Sequence, residues 1–169
     1  MGKRREYVLQ DRAQTARWGA ALGARLRPGD VVALIGDLGA GKTTLAQALA
    51  QGLGIEAPVT SPTFTLIQEY PGPIPMFHFD PYRLERPEDV ADLGWEEYFE
   101  RGGVIVVEWA DKVAALLPAE RLTLTLEIVA PEEMDMEAAD APRCLTVEAV
   151  GPRYESLLAE LEALPEMRP

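Results

Sequence analysis

Eight residues, Gly36-Asp37-Leu38-Gly39-Ala40-Gly41-Lys42-Thr43, fit the spacing G-x-x-x-x-G-K-[ST], an arrangement that holds nucleotide phosphates. The glycines let the backbone curl until successive N–H groups face one concave nest, which side chains there would hinder. Lys42 adds a full positive charge and Thr43 a hydroxyl for Mg²⁺. A helix starting near Lys42 would aim its free N–H groups and positive dipole end at the same anion.

Binding phosphate is not yet chemistry on it; hydrolysis or transfer also needs a carboxylate to position magnesium and a group to orient the nucleophile. Two acids close apolar runs: Glu108 ends Val104-Ile105-Val106-Val107, and Asp80 ends Met76-Phe77-His78-Phe79. In a doubly wound sheet ligands gather at the carboxyl ends of the strands, where Gly36 also lies. Glu108 is expected to hold Mg²⁺, directly or through water, and Asp80 to share the metal or orient the attacking water; the residues alone also allow the reverse assignment. Trp109 adjoins Glu108 and is expected either in a partly apolar wall or stacked on the base. Ser61-Pro62-Thr63 lies where a hydroxyl could sense a γ-phosphate, or is a plain proline turn. His78, the chain's one histidine, is read as structural, with proton transfer as the alternative.

The elements that must position these residues are legible in part. Asp30 to Ile35 is a short apolar run entering the loop, and Leu45, Leu49 and Leu53 recur on one helical face before Gly54. Upstream, Tyr7-Val8-Leu9 reads as a strand, Asp11 with Gln14 as a helix start, and Arg27 to Asp30 as a turn. Downstream, Phe64 to Phe79 reads as an antiparallel hairpin around Pro71-Gly72-Pro73. Arg86 to Arg101 suggests short acidic helices broken at Gly94. Val104 to Val107, β-branched and without polar alternation, reads as a strand buried on both faces. Leu122 to Ile128 alternates with period two, as an antiparallel strand with one wet face does, and Cys144 to Glu148 could pair with it across an acidic connector from Pro131 to Pro142. A last amphipathic helix is expected near Tyr154 to Leu164. The fold class expected is α/β, a P-loop NTPase-like, mostly parallel sheet with flanking helices and antiparallel strands added in the C-terminal third.

Composition narrows the class. With 169 residues and 47% hydrophobic content, one domain over residues 1–169 is the simplest expectation. One cysteine cannot form an intrachain disulfide or a zinc cluster. The basic start Met1 to Arg5 leads into no apolar signal core, and no run approaches a membrane span, so a cytoplasmic protein without a membrane partner is expected. The net charge of -12 opposes wide contact with a phosphate backbone. Any work on nucleic acid would then go through a partner.

Taken together, the phosphate loop through Thr44, Ser61-Pro62-Thr63-Phe64, His78-Phe79-Asp80-Pro81-Tyr82-Arg83-Leu84 and Glu108-Trp109 resemble the TsaE family, formerly called YjeE, in order and spacing from about Asp11 to Tyr154. The resemblance implies an ATPase with ATP and Mg²⁺ as cofactors, required to make threonylcarbamoyladenosine in tRNA. In that family the protein is not the transferase; it works on TsaD and TsaB, which meet the tRNA. By position, Asp37, Leu38, Gly39, Ala40, Gly41, Lys42, Thr43, Thr44 and Trp109 would bind the nucleotide. Thr43, Glu108 and Asp80 would serve the metal, and Lys42, Asp80 and Glu108 catalysis. Pro81 departs from the aliphatic residue expected there, and it restricts Asp80. A small-molecule kinase would need an acceptor site and clamping arginines, and no arginine-rich lid is evident. A nucleotide-gated switch with little turnover is the non-enzyme alternative. The guanine-reading Asn-Lys-x-Asp pattern is absent from the sequence, which favours adenine or weak base selectivity.

Overall fold

A computed structural model of the chain describes residues 2–36, 40–60, 67–81, 94–129 and 141–165, with the side chain of Trp95 excepted. Among the described residues seven strands form one sheet in the order β1-β7-β6-β2-β5-β4-β3. They are β1 Lys3–Leu9, β2 Val31–Gly36, β3 Ile67–Tyr70, β4 Met76–Phe79, β5 Val104–Glu108, β6 Arg121–Ile128 and β7 Arg143–Val150. The centre is parallel: β2 lies between β5 and β6, and β4 runs parallel to β5. Antiparallel pairs finish both edges, β3 on β4 at one side and β6, β7 and β1 at the other.

The helices are α1 Arg12–Gly23, α2 Lys42–Gly52, α3 Trp95–Tyr98 and α4 Pro152–Glu162, with a 3-10 helix over Ala110–Leu116. The start of α1 is held by the Asp11 side chain, which accepts the Gln14 N–H at 2.9 Å. The Gln14 side chain returns to the Gln10 N–H at 2.8 Å, close to the reciprocal pattern expected from the sequence. Strand alternation sends residues to two cores. One face carries Val32, Leu34, Val104, Val106, Leu122 and Leu124 against the leucines of α1, α2 and α4; the other carries Val31, Ala33, Ile105, Val107, Phe77 and Phe79 against the 3-10 helix. The central strands are thereby buried on both faces, which explains their unbroken apolar runs.

Several expectations need adjustment. The first strand begins at Lys3 rather than Tyr7, because pairing along β7 extends it through exposed charged residues. Helix α1 ends at Gly23, short of Leu26. Strand β6 does pair antiparallel with β7 and keeps a partly wet face, but its other neighbour, β2, is parallel to it. Period-two alternation reports which face is wet, not the direction of the neighbour. The hairpin is present over residues 67–79, and Gly94, at φ 72°, starts α3. Residues 61–66, 82–93 and 130–140, which include Ser61 to Thr63, Tyr82 to Leu84 and most of the acidic connector, lie outside the described residues.

Candidate functional site

The candidate site forms where β2, β4 and β5 end together. Leu34 of β2 is level with Glu108 of β5, and Phe79 of β4 with Val107, so Gly36, Asp80 and Glu108 leave the sheet along one edge. Asp37, Leu38 and Gly39 lie outside the described residues; Ala40 beyond them is buried. Gly36 is needed for space, since a Cβ there would come within 2.7 Å of the Leu126 carbonyl oxygen on β6. Gly41 is needed for conformation: its φ of 108° is one that side-chain-bearing residues rarely adopt. From Gly41 the chain enters α2, whose N-terminus has no side-chain cap. Its first N–H groups and the helix dipole thus point toward the loop.

Lys42, Thr43 and Thr44 open that helix. Lys42 is buried, and its Nζ donates to the Gly36 carbonyl oxygen at 2.5 Å. The same Nζ stands 3.1 Å from the centroid of the Trp109 ring, a cation–π contact that joins the phosphate loop to the end of β5. Trp109 reaches this place through a left-handed backbone, φ 55° and ψ 37°, the one positive φ among the described non-glycine residues. It also lines a cleft of about 420 Å³ with Gly36, Ala40 and the Thr125 to Ile128 end of β6. That volume is in the range of small-molecule sites.

Glu108 is no surface acid. It is 2% exposed, and its Oε2 lies 2.6 Å from Nε2 of His78, which is fully buried. Asp80, one residue past β4, is half-buried, and Pro81 behind it is buried. The structure thus brings Lys42, Trp109 and Glu108 into one neighbourhood with Asp80 at the same sheet edge.

Arg143 is the residue that motif reading missed. It starts β7, is 5% exposed, and donates from Nε to the Ala40 carbonyl oxygen at 2.7 Å and from Nη1 to the Ala141 carbonyl oxygen. Burial, and then the charge of Arg12, push its guanidinium pKa below the usual arginine value. No local pattern marks it, because its partner in the loop is 103 residues away. Its one sequence signal is a charge at the start of a mostly apolar strand.

The donor set suits magnesium. Among the described residues no group of three or more His, Cys, Asp or Glu side chains is placed to hold a metal. One buried carboxylate and one helix-start hydroxyl are instead the protein's share where substrate phosphates and water complete a Mg²⁺ shell. No helix of the described residues is long and apolar enough to cross a membrane.

Comparison with known proteins gives the lineage. The sequence model of the family described as "Threonylcarbamoyl adenosine biosynthesis protein TsaE" matches residues 9–136. The "tRNA threonylcarbamoyladenosine biosynthesis protein TsaE" of Bacillus subtilis is 48% identical over 136 residues, 80% of this chain and 79% of that protein. Its namesake in Treponema pallidum is 42% identical over 78% of this chain and 98% of its own length. The crystal structure of YdiB from Bacillus subtilis superposes with a TM-score of 0.75 at 37% identity, covering 95% of both chains. With the family match spanning residues 9–136 and two such relatives along most of its length, the chain belongs to the TsaE family.

Proposed function

We propose that this chain is the ATP-binding and ATP-hydrolysing subunit required for threonylcarbamoyladenosine modification of tRNA, acting on the TsaD and TsaB proteins rather than as the transferase. The observation that carries the reading is the convergence of Lys42, Trp109 and buried Glu108 at the joint ends of β2 and β5. A phosphate-binding lysine beside a strand-end carboxylate is the pairing that P-loop hydrolases use. The relatives' printed role in tRNA threonylcarbamoyladenosine biosynthesis supports the process, and a cytoplasmic location is part of this reading.

In this reading Lys42 and the amides of residues 37–44, with the start of α2, hold the phosphates, and Trp109 borders the nucleotide. To receive phosphate, Lys42 exchanges its bond to the Gly36 carbonyl for phosphate oxygens. Thr43 and Glu108 would hold magnesium, which would offset charge developing on the phosphate oxygens. Asp80 orients the attacking water and takes up its proton, or shares the metal. The test is phosphate release from Mg²⁺·ATP with and without TsaB and TsaD. Weak release that rises with the partners and disappears in Lys42→Ala supports the proposal. Release indifferent to both, or phosphate appearing on a small acceptor, would overturn it.

A further inference from the structure

Among the described residues His78 has one polar contact, and that contact is Glu108. The two strands carrying them are parallel, with His78 level with Val106, so Glu108 is the next residue along β5 on the same face. Side chains two apart on one face of neighbouring strands lie within reach of each other, and here Nε2 and Oε2 close to 2.6 Å. Both residues are withdrawn from solvent, at 0% and 2% exposure. A buried carboxylate is costly without compensation, and a short charge-assisted hydrogen bond is a strong form of it.

The other ring nitrogen separates a positioning role from a merely structural one. Nδ1 of His78 is buried and has no hydrogen-bond partner among the described residues. Most buried side-chain polar atoms have a hydrogen-bond partner, and among the described residues the partner of this ring is the Glu108 carboxylate. An ionised carboxylate can only accept, so the proton of a neutral ring belongs on Nε2, and Nδ1 is left as a bare lone pair. An unmet acceptor is tolerated more readily than an unmet donor. The ring is therefore committed to a single task.

We propose that His78 is a positioning residue for the metal-binding carboxylate: Nε2–H holds Oε2 of Glu108, fixes the carboxylate rotamer, and leaves Oε1 for magnesium or a magnesium-bound water. The inference rests on the reading of Glu108 as the magnesium carboxylate. Metal ligands are routinely oriented by such outer partners, whose loss lowers metal affinity by about 10- to 100-fold. Lys42, which in this reading meets the phosphates, donates to the Gly36 carbonyl and lies over the Trp109 ring.

The experiment compares wild type, His78→Met, His78→Gln and Glu108→Ala by Mn²⁺ binding to the ADP complex, read by electron paramagnetic resonance, with metal-free ADP affinity and thermal midpoint alongside. Methionine removes the donor at similar size, whereas the glutamine amide can place an N–H near the position of Nε2. We expect His78→Met to weaken Mn²⁺ binding by about 10- to 100-fold with metal-free ADP affinity unchanged, and His78→Gln to recover most of the loss. Wild-type metal affinity in His78→Met, or no recovery in a folded His78→Gln, overturns the inference. Because the chain has a single histidine, its imidazole ¹⁵N signals give a second reading on wild-type protein, whether or not the methionine variant folds. They should show the proton on Nε2 and a shift at Nε2 when Mg²⁺ joins the ADP complex. A proton on Nδ1, or no response to Mg²⁺, overturns the inference as well. Glu108→Ala tells the two ideas apart: unchanged Mn²⁺ affinity there refutes the metal reading of Glu108, whereas loss there with none in His78→Met refutes only the role of His78.

Discussion

Trp109 holds a backbone conformation that costs a bulky residue about 1–3 kcal/mol, and in return its ring lies over Lys42 at 3.1 Å. Trp109→Gly should relieve that backbone, so thermal stability holds or rises while ATP turnover falls; a destabilised variant with full turnover would contradict this. Glu108→Ala should lower turnover by about 100-fold or more, the scale of losing one electrostatic partner of the transition state, while metal-free ADP still binds. Calorimetry beside a phosphate-release assay separates the two effects. Arg143→Lys tests the arm behind the loop. Lysine cannot reproduce the fork that serves two carbonyls at once, and hydrogen bonds from charged groups are worth about 1.5–3 kcal/mol each. A thermal midpoint and ATP affinity equal to wild type would refute that role. That Lys42, Glu108 and Trp109 would lie together was legible in the sequence, because the phosphate-loop spacing and the end of an apolar run mark the ends of neighbouring strands. Arg143 and the bond between His78 and Glu108 were not, because each joins residues far apart in the chain, 103 and 30 positions respectively.

Helix α1 packs closely against α2, the helix that follows the loop. At Gly23 a Cβ would meet the Leu49 carbonyl oxygen at 2.3 Å, a backbone atom that cannot step aside. Gly23→Ala should therefore destabilise the fold by about 1–3 kcal/mol, despite alanine's better helix propensity, and a midpoint unchanged in urea unfolding would refute this crossing. At the other end of β2, the Val31 N–H donates to the Tyr154 hydroxyl oxygen at 2.8 Å, tying α4 to the strand that feeds the loop. Burial is the largest cause raising the Tyr154 pKa, and the Val31 hydrogen bond works the other way. A raised folded pKa means that its stabilising share is intact below the ordinary tyrosine value of about 10 and is lost as pH climbs through the folded value. Tyr154→Phe should cost about 1–3 kcal/mol at neutral pH, the scale of an unmet buried donor, yet show a shallower alkaline loss of stability than wild type. Equal slopes above pH ~10 would mean that Tyr154 ionises without penalty. Element types were readable from periodicity and caps, as Asp11 with Gln14 shows. The parallel union of β6 with β2 was not, since Leu122 to Leu126 looks the same from within whichever way its neighbour runs.

At the scale of the whole molecule the net charge of -12 on 169 residues decides which contacts are open. Two of the cationic side chains at the loop are engaged inside the protein: Lys42 with Gly36 and Trp109, and Arg143 with Ala40 and Ala141. In the proposed reading they supply a local field for one nucleotide rather than a basic surface for a folded RNA, whose binding draws on many phosphate contacts and weakens steeply with salt. Alone, the chain should therefore show no tRNA binding at micromolar concentration and near-physiological salt, where charges are screened over about 8 Å. With TsaD and TsaB present, tRNA should be retained through those proteins, and adding this chain should not steepen the salt dependence of retention. Filter binding of labelled tRNA across a salt series measures both quantities. Micromolar binding by the isolated chain, with a slope implying several displaced counterions, would move tRNA recognition onto this protein and overturn the proposed action on TsaD and TsaB.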